Sequence, residues 1–169
     1  MLKFKLYYDK DEEEKWLNKM SELGWAFRKF VLGFYFFDAC EPGEYQYQID
    51  LLDNWNGDKE DFSLFMEENH IDVISQWYRW VYLRKKRADG ILEIYTDNES
   101  KIAQYDRIKK FFTVALVIEI ICFIIEFNAA LRTGDIAFWG LVILIGMIVL
   151  VFLRMVWKCS WKIEELKKY

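Results

Sequence analysis

Two apolar runs of membrane length, four residues apart, set the first limit on what this chain can fold into. They are Phe111–Leu131 (FFTVALVIEIICFIIEFNAAL) and Ile136–Trp157 (IAFWGLVILIGMIVLVFLRMVW). At about 1.5 Å of rise per helical residue, each reaches across the roughly 30 Å of a hydrocarbon core. Only Arg132, Thr133, Gly134 and Asp135 lie between them. The pair is therefore expected to form an antiparallel transmembrane hairpin over residues 111–157, with almost nothing exposed on the far side.

Charge supplies an orientation. Lys101, Arg107, Lys109 and Lys110 precede the first run, and Lys158, Lys162, Lys167 and Lys168 follow the second in a basic tail, 158–169. The turn between the runs holds one Arg against one Asp, so both termini are expected on the cytoplasmic side of a two-span cell-membrane protein. The opening stretch MLKFKLYYDKDEEEKW lacks the apolar core of a signal peptide, and the region it opens is expected to be cytosolic. Residues 1–105 carry 14 Lys and Arg against 21 Asp and Glu. That balance does not suit phosphate neutralisation, so nucleic acid is excluded as an expected partner. Cys40, Cys122 and Cys159 fall in three different regions and read as free thiols.

The first hundred residues repeat at an offset of 47: Asp11, Glu13, Leu17, Tyr35, Gly43 and Asp50 recur as Asp58, Glu60, Leu64, Tyr82, Gly90 and Asp97. Each unit, 1–52 and 53–97, reads as a helix followed by three strands. The helices DEEEKWLNKMSEL and DKEDFSLFMEEN open on Asp11 and Asp58, which can cap free backbone N–H groups. Acids follow at the positive helix end, and then apolar residues at helical spacing (Trp16, Leu17, Met20 and Leu23; Phe62, Phe65 and Met66). The strands are WAFRKFVL, FYFFDAC and EYQYQIDLL, then DVISQW, WVYLRKK and ILEIYTD, with LKFKLYY ahead of the first helix.

Short links between strands imply antiparallel pairing. The fold class expected for residues 1–96 is thus α+β: a duplicated antiparallel-sheet domain with two helices on one face, resembling ferredoxin-like arrangements. A juxtamembrane helical linker, 97–110, and the hairpin follow. In FVLGFYFF consecutive residues point to opposite faces of the sheet, and both faces are apolar. Helices cover one face; the other needs a second copy, another protein, a ligand or the membrane.

The stretch KWLNKMSELGWAFRKFVLGFYFFDACEPGEYQYQIDLLD, followed by EIYTDNESKI and two spans, resembles the bacterial family called domain of unknown function 2812. Its most specific parts here are FYFFDACEPGEYQYQID and YTDNESK. The resemblance implies a membrane-anchored bacterial protein, of a kind often encoded beside PadR-type transcription regulators. It brings no reaction and no catalytic residues.

No catalytic constellation emerges from the residues either. His70 is the one histidine, the cysteines lack metal-ligand spacing, and no G-x-S-x-G elbow, G-x-G-x-x-G loop or P-loop occurs. Neither a metal nor a cofactor is expected. Asp11, Glu12, Glu13 and Glu14 read as first-turn helix charges, because sequential residues radiate around a helix. Asp50 and Asp97 read as turn or cap residues. The run WYRWVYLRKKR, Trp77–Arg87, reads as sheet core; Trp77, Trp80 and Tyr82, with Tyr35 and Phe37, are the candidate ligand or partner surface.

Inside the apolar runs stand Glu119, Glu126 and Arg154. Seven residues apart, the two glutamates share a stripe with Ala115, Cys122, Ala129 and Ala130. Gly140, Met147 and Arg154 mark the expected inner face of the second helix. Arg154 is placed either in a pair with Glu119 or at the cytoplasmic surface. Thr96–Glu99 matches a capping box, and with no Pro or Gly between Gly90 and Gly134 one helix is expected from about Asp97 to Leu131.

The expectation is a non-catalytic, membrane-anchored binding or sensing protein, regulatory or tied to envelope stress, whose partners are membrane lipid and either further copies or another protein. The alternative is a small oligomeric membrane component of envelope defence or transport, with Glu119 and Glu126 lining a polar path.

Overall fold

Two β-hairpins organise the first half of the chain, each turning on a tight two-residue loop. In the computed structural model, which describes residues 1–52 and 59–168, the chain divides into two compact units, Met1–Thr96 and Asp97–Tyr169. The first unit contains β1 (Leu2–Phe4), α1 (Lys10–Glu22), β2 (Trp25–Val31), β3 (Phe34–Ala39), β4 (Tyr45–Leu51), α2 (Lys59–Glu68), β5 (Asp72–Trp77) and β6 (Trp80–Lys86). The β2–β3 turn carries positive φ at Leu32 (48°) and Gly33 (85°), the backbone that matches the twist of paired strands.

The strands form two three-stranded antiparallel sheets, ordered β1-β3-β2 and β4-β6-β5, instead of one ferredoxin-like sheet. The connectivity of the two is the same: strand, helix, then a hairpin whose second strand sits in the middle. The helices do not share one face. Helix α1 packs its Leu17 and Met20 with Phe27, Tyr35, Phe37, Tyr47, Ile49 and Tyr82, while Met66 of α2 packs with Ile71, Val81 and Leu83. Tyr82 and Val81 are neighbours on β6, so these clusters lie on opposite faces of the second sheet.

Each hairpin has one break in register, between Phe27 and Lys29 and between Val73 and Ser75. The breaks are 46 residues apart, one fewer than the offset that matches Tyr35 to Tyr82. A slip of one residue changes the face a side chain points to. Tyr82 therefore corresponds in the ladder to Phe36, not to Tyr35.

The stretch 91–97, expected as a strand, is not one. Arg87–Asp89 form a 3-10 turn, and Leu92 and Ile94 then pack as irregular chain on the α2 cluster. Their alternation reflects one-sided burial. The neighbour they would need, β6, is already flanked by β4 and β5. Helix α1 starts at Lys10, and its cap is Asp9, whose side chain accepts from Asp11 N–H, rather than Asp11 itself. The expected cap Asp58 lies outside the described residues, as do the side chains of Glu60 and Phe65.

The second unit is two helices, α3 (Asn98–Thr133) and α4 (Ile136–Leu166). Asp97 caps α3 by accepting from Ser100 N–H at 2.8 Å, so the box begins one residue later than Thr96. Gly134 ends the helix in the left-handed region (φ 67°), its N–H returning to the Ala130 carbonyl, and Asp135 caps α4. The helices pack as a hairpin, burying Ile108, Phe112, Leu116 and Ala130 against Val142, Met155, Cys159 and Ile163. Phe112 meets Phe152 at 5.6 Å between ring centres. Both helices are long and apolar enough to cross a membrane, and both are largely exposed.

Candidate functional site

The polar centre of the first unit is a carboxylate in an aromatic core. Glu13, on the buried side of α1, accepts hydrogen bonds on one oxygen, Oε1, from the hydroxyls of Tyr35 (2.6 Å) and Tyr82 (2.8 Å). One donor stands on β3 and the other on β6, so a single atom ties the helix to both sheets. Burial raises the Glu13 pKa above its ordinary value, and the two hydroxyls oppose that rise. Burial and the adjacent carboxylate hold both tyrosines protonated, and hence as donors.

Around it, α1 serves the free edge of β4. Glu14 Oε1 accepts from the Ile49 N–H (2.7 Å), and Asn18 both donates to the Tyr47 carbonyl (3.0 Å) and accepts from the Tyr47 N–H (3.0 Å). Ser21 Oγ donates to the Tyr45 carbonyl (2.7 Å). Side chains thus replace the strand that would otherwise pair with this edge. Burial pushes the Glu14 carboxyl up to about 6, with Lys10, 3.4 Å away, pulling against it. Tyr47, whose hydroxyl accepts from the Phe27 N–H at 2.8 Å, is pushed up to about 12, again by burial first. Below the second sheet, Asp50 accepts from the Tyr95 hydroxyl at 2.6 Å.

The arrangement can hold protons at fixed positions and fix helix to sheet. Among the described residues, no group of three or more His, Cys, Asp or Glu is placed to hold a metal ion.

A model of the family described as "Protein of unknown function (DUF2812)" matches residues 9–117. The chain belongs to that family. The DUF2812 match takes in Glu13, Glu14, Tyr35 and Tyr82 and ends before Glu119, Glu126 and Arg154. No curated protein and no solved structure matches the chain.

The residues expected to form a ligand or partner surface in this DUF2812 chain part company. Tyr35, Phe37 and Tyr82 are core residues, Trp80 is half-buried against them, and Trp77 is exposed. Tyr35 and Tyr82 are brought together, but inside the unit, by Glu13. That carboxylate resembles a first-turn helix charge because its neighbours are also acidic; only its spacing of four from Leu17 marks it as inward-facing. His70 is exposed with φ 55° and sits at the end of α2, its N–H on the Glu67 carbonyl. Asp97 is a helix cap, and Asp50 is buried and bonded to Tyr95.

In the second unit, Arg154 is exposed and makes no ion pair with Glu119, which is half-buried. Gly140 and Met147 are exposed as well, so the face of α4 that meets α3 is not the expected one. Val142, Met155, Cys159 and Ile163 form it instead. That face carries no charge, whereas the expected one would bury the Arg154 guanidinium. Glu126 has one carboxylate oxygen buried without a hydrogen-bond partner.

Proposed function

We propose that this chain is a membrane-anchored protein without catalytic activity of its own, in which a duplicated α+β domain binds or senses a partner on the cytoplasmic side of a bacterial cell membrane. The observation that carries the reading is the continuity of α3, which runs without a break from Asn98 to Thr133. Its first third has the charged residues of a water-facing helix. The rest exposes Val114, Ile121, Ile125 and Leu131 at 53–63%, matched on α4 by Ile136 (86%), Leu150 (67%) and Trp157 (72%). Apolar area on this scale is unfavourable in water, at roughly 25 cal/mol per Å², and at home in lipid. Regulatory or envelope-stress work suits a binding domain held at the membrane by a stiff helix.

Lys and Arg at both outer ends favour a cytoplasmic position for both termini. In intact cells, a cysteine replacing Thr133 should react with an impermeant thiol reagent, while ones replacing Lys3 or Lys168 should react only after lysis. Labelling of Lys3→Cys and Lys168→Cys in intact cells would contradict the proposed orientation.

A second reading is favoured by the buried, unpartnered oxygen of Glu126: several copies assemble so that Glu119 and Glu126 line a polar path. It requires Glu119→Gln and Glu126→Gln to insert and fold normally yet lose the cellular phenotype. Normal phenotype in both variants removes this reading.

A further inference from the structure

Among the described residues of the first unit, none covers the outer face of the β1-β3-β2 sheet. Pairing of Leu2 with Phe36, Phe4 with Phe34, Lys29 with Phe36 and Val31 with Phe34 puts all six side chains on that face. Phe4 and Phe34 meet at 4.9 Å between ring centres with their planes tilted, 58% and 42% exposed, and the adjoining Leu6 and Leu32 are 75% and 66% exposed. In the other sheet, by contrast, both faces pack into core clusters.

Charge points to an occupant. Residues 1–8 and 24–39, which build this sheet, hold Lys3, Lys5, Arg28 and Lys29, all exposed, against one acid, Asp38, in a half of the chain that is otherwise acidic. Arg28 has Asp38 at 3.7 Å. Lys29 stands on this face, and among the described residues no ion pair takes it up; Lys3, paired opposite Tyr35, and Lys5, which donates to the Tyr7 hydroxyl at 3.0 Å, project from the other side. Aromatic and aliphatic side chains with Lys29 among them and Arg28 beside them make a surface that anionic lipid attracts, through apolar insertion plus about 1 kcal/mol, or fivefold, per basic residue. A second copy is the poorer fit, because a two-fold contact through this face sets Lys29 and Arg28 against the same basic residues of the other copy.

We propose that this face docks on an anionic bilayer surface, giving the protein a membrane contact separate from its hairpin. The proposal rests on the membrane-anchored reading. In that reading, about 13 residues of α3, roughly 20 Å, separate the domain from the first apolar residues, so the face and the bilayer meet at high effective concentration. Docking then holds the domain down on anionic lipid and releases it when the surface charge falls.

The test uses the full chain in nanodiscs, with the native cysteines replaced and a nitroxide placed in turn at Leu32→Cys and Ile125→Cys. Collision with a water-soluble paramagnetic reagent is read in zwitterionic and in anionic lipid. The expected result is an Ile125 label shielded in both lipids, and a Leu32 label shielded only in the anionic one. Lys29→Glu should weaken that shielding about fivefold or more. A water-accessible Leu32 label in both lipids, beside a shielded Ile125 label, overturns docking and leaves anchoring intact. Leu32 shielding that is the same in both lipids and grows with the number of copies per disc assigns the face to a second copy and also overturns it. An Ile125 label open to water defeats the anchored reading itself, and docking with it.

Discussion

Tyr35 and Tyr82, 47 residues apart and on different sheets, donate their hydroxyls to the same oxygen, Glu13 Oε1. Sequence matches them as repeat equivalents, yet the ladder registers repeat at 46. They meet because one faces α1 from its own sheet and the other faces it from the reverse side of the second. The shared acceptor makes their energetics interdependent.

Removal of one hydroxyl leaves Glu13 with the other donor, so Tyr35→Phe and Tyr82→Phe should each cost about 1–3 kcal/mol. The double variant strands the carboxylate and should depart from the sum of the singles. Adding Glu13→Leu to it should recover part of the loss, since no buried charge then remains. Denaturation of the purified protein in detergent measures all four. Strict additivity, with no recovery from the triple change, would rule out the shared-acceptor account.

The pH dependence follows from Glu14, whose pKa rises from 4.5 to about 6 mainly through burial. A carboxyl raised in the folded state takes up its proton more readily there than in the unfolded chain. Its contribution is fully present below 4.5 and is lost as pH rises through about 6, on the order of 2 kcal/mol. Glu13, also raised by burial, acts in the same direction. Thermal midpoints taken from about pH 4.5 to about pH 6.5 should therefore fall more steeply for the wild type than for Glu14→Gln. Parallel curves would show that Glu14 does not titrate in this window.

Two glycines with positive φ should respond differently to alanine. A Cβ on Gly33 (φ 85°) would come within 2.9 Å of both Leu6 and Phe4, whereas one on Gly43 (φ 77°) meets nothing within 4 Å. Gly43→Ala should cost about 1 kcal/mol of backbone strain, and Gly33→Ala more, because the ends of the Leu6 and Phe4 side chains and the Lys5 carbonyl, 3.2 Å away, must also give way. Comparing the two in one denaturation series checks this. Equal losses would mean that the β1 segment gives way freely.

Arg154 is exposed on α4 and unpaired with Glu119. Replacing Glu119 with Gln and Arg154 with Leu, singly and together, should give a coupling energy below about 0.5 kcal/mol in a detergent stability cycle. Coupling of several kcal/mol would require a contact that this packing does not contain.

Features set by neighbouring residues are legible in the sequence alone. The apolar length of the two helices, the Gly134–Asp135 turn, the hairpins around Leu32–Gly33 and Tyr78–Arg79, the α+β class and an uncovered face in FVLGFYFF all follow from local pattern and backbone preference. Asp9 in place of Asp11, and Asp97 in place of Thr96, are shifts of one or two residues among equally good caps. Tertiary structure decided the relations between distant segments. The sheet divides in two because β3 and β6 are each already flanked on both sides, which also leaves 91–97 without a partner strand. Glu13 becomes a buried acceptor, and Arg154 turns outward, because burial depends on which surface arrives opposite a helix. A period of 3.6 residues names the faces of a helix; packing chooses which one is covered.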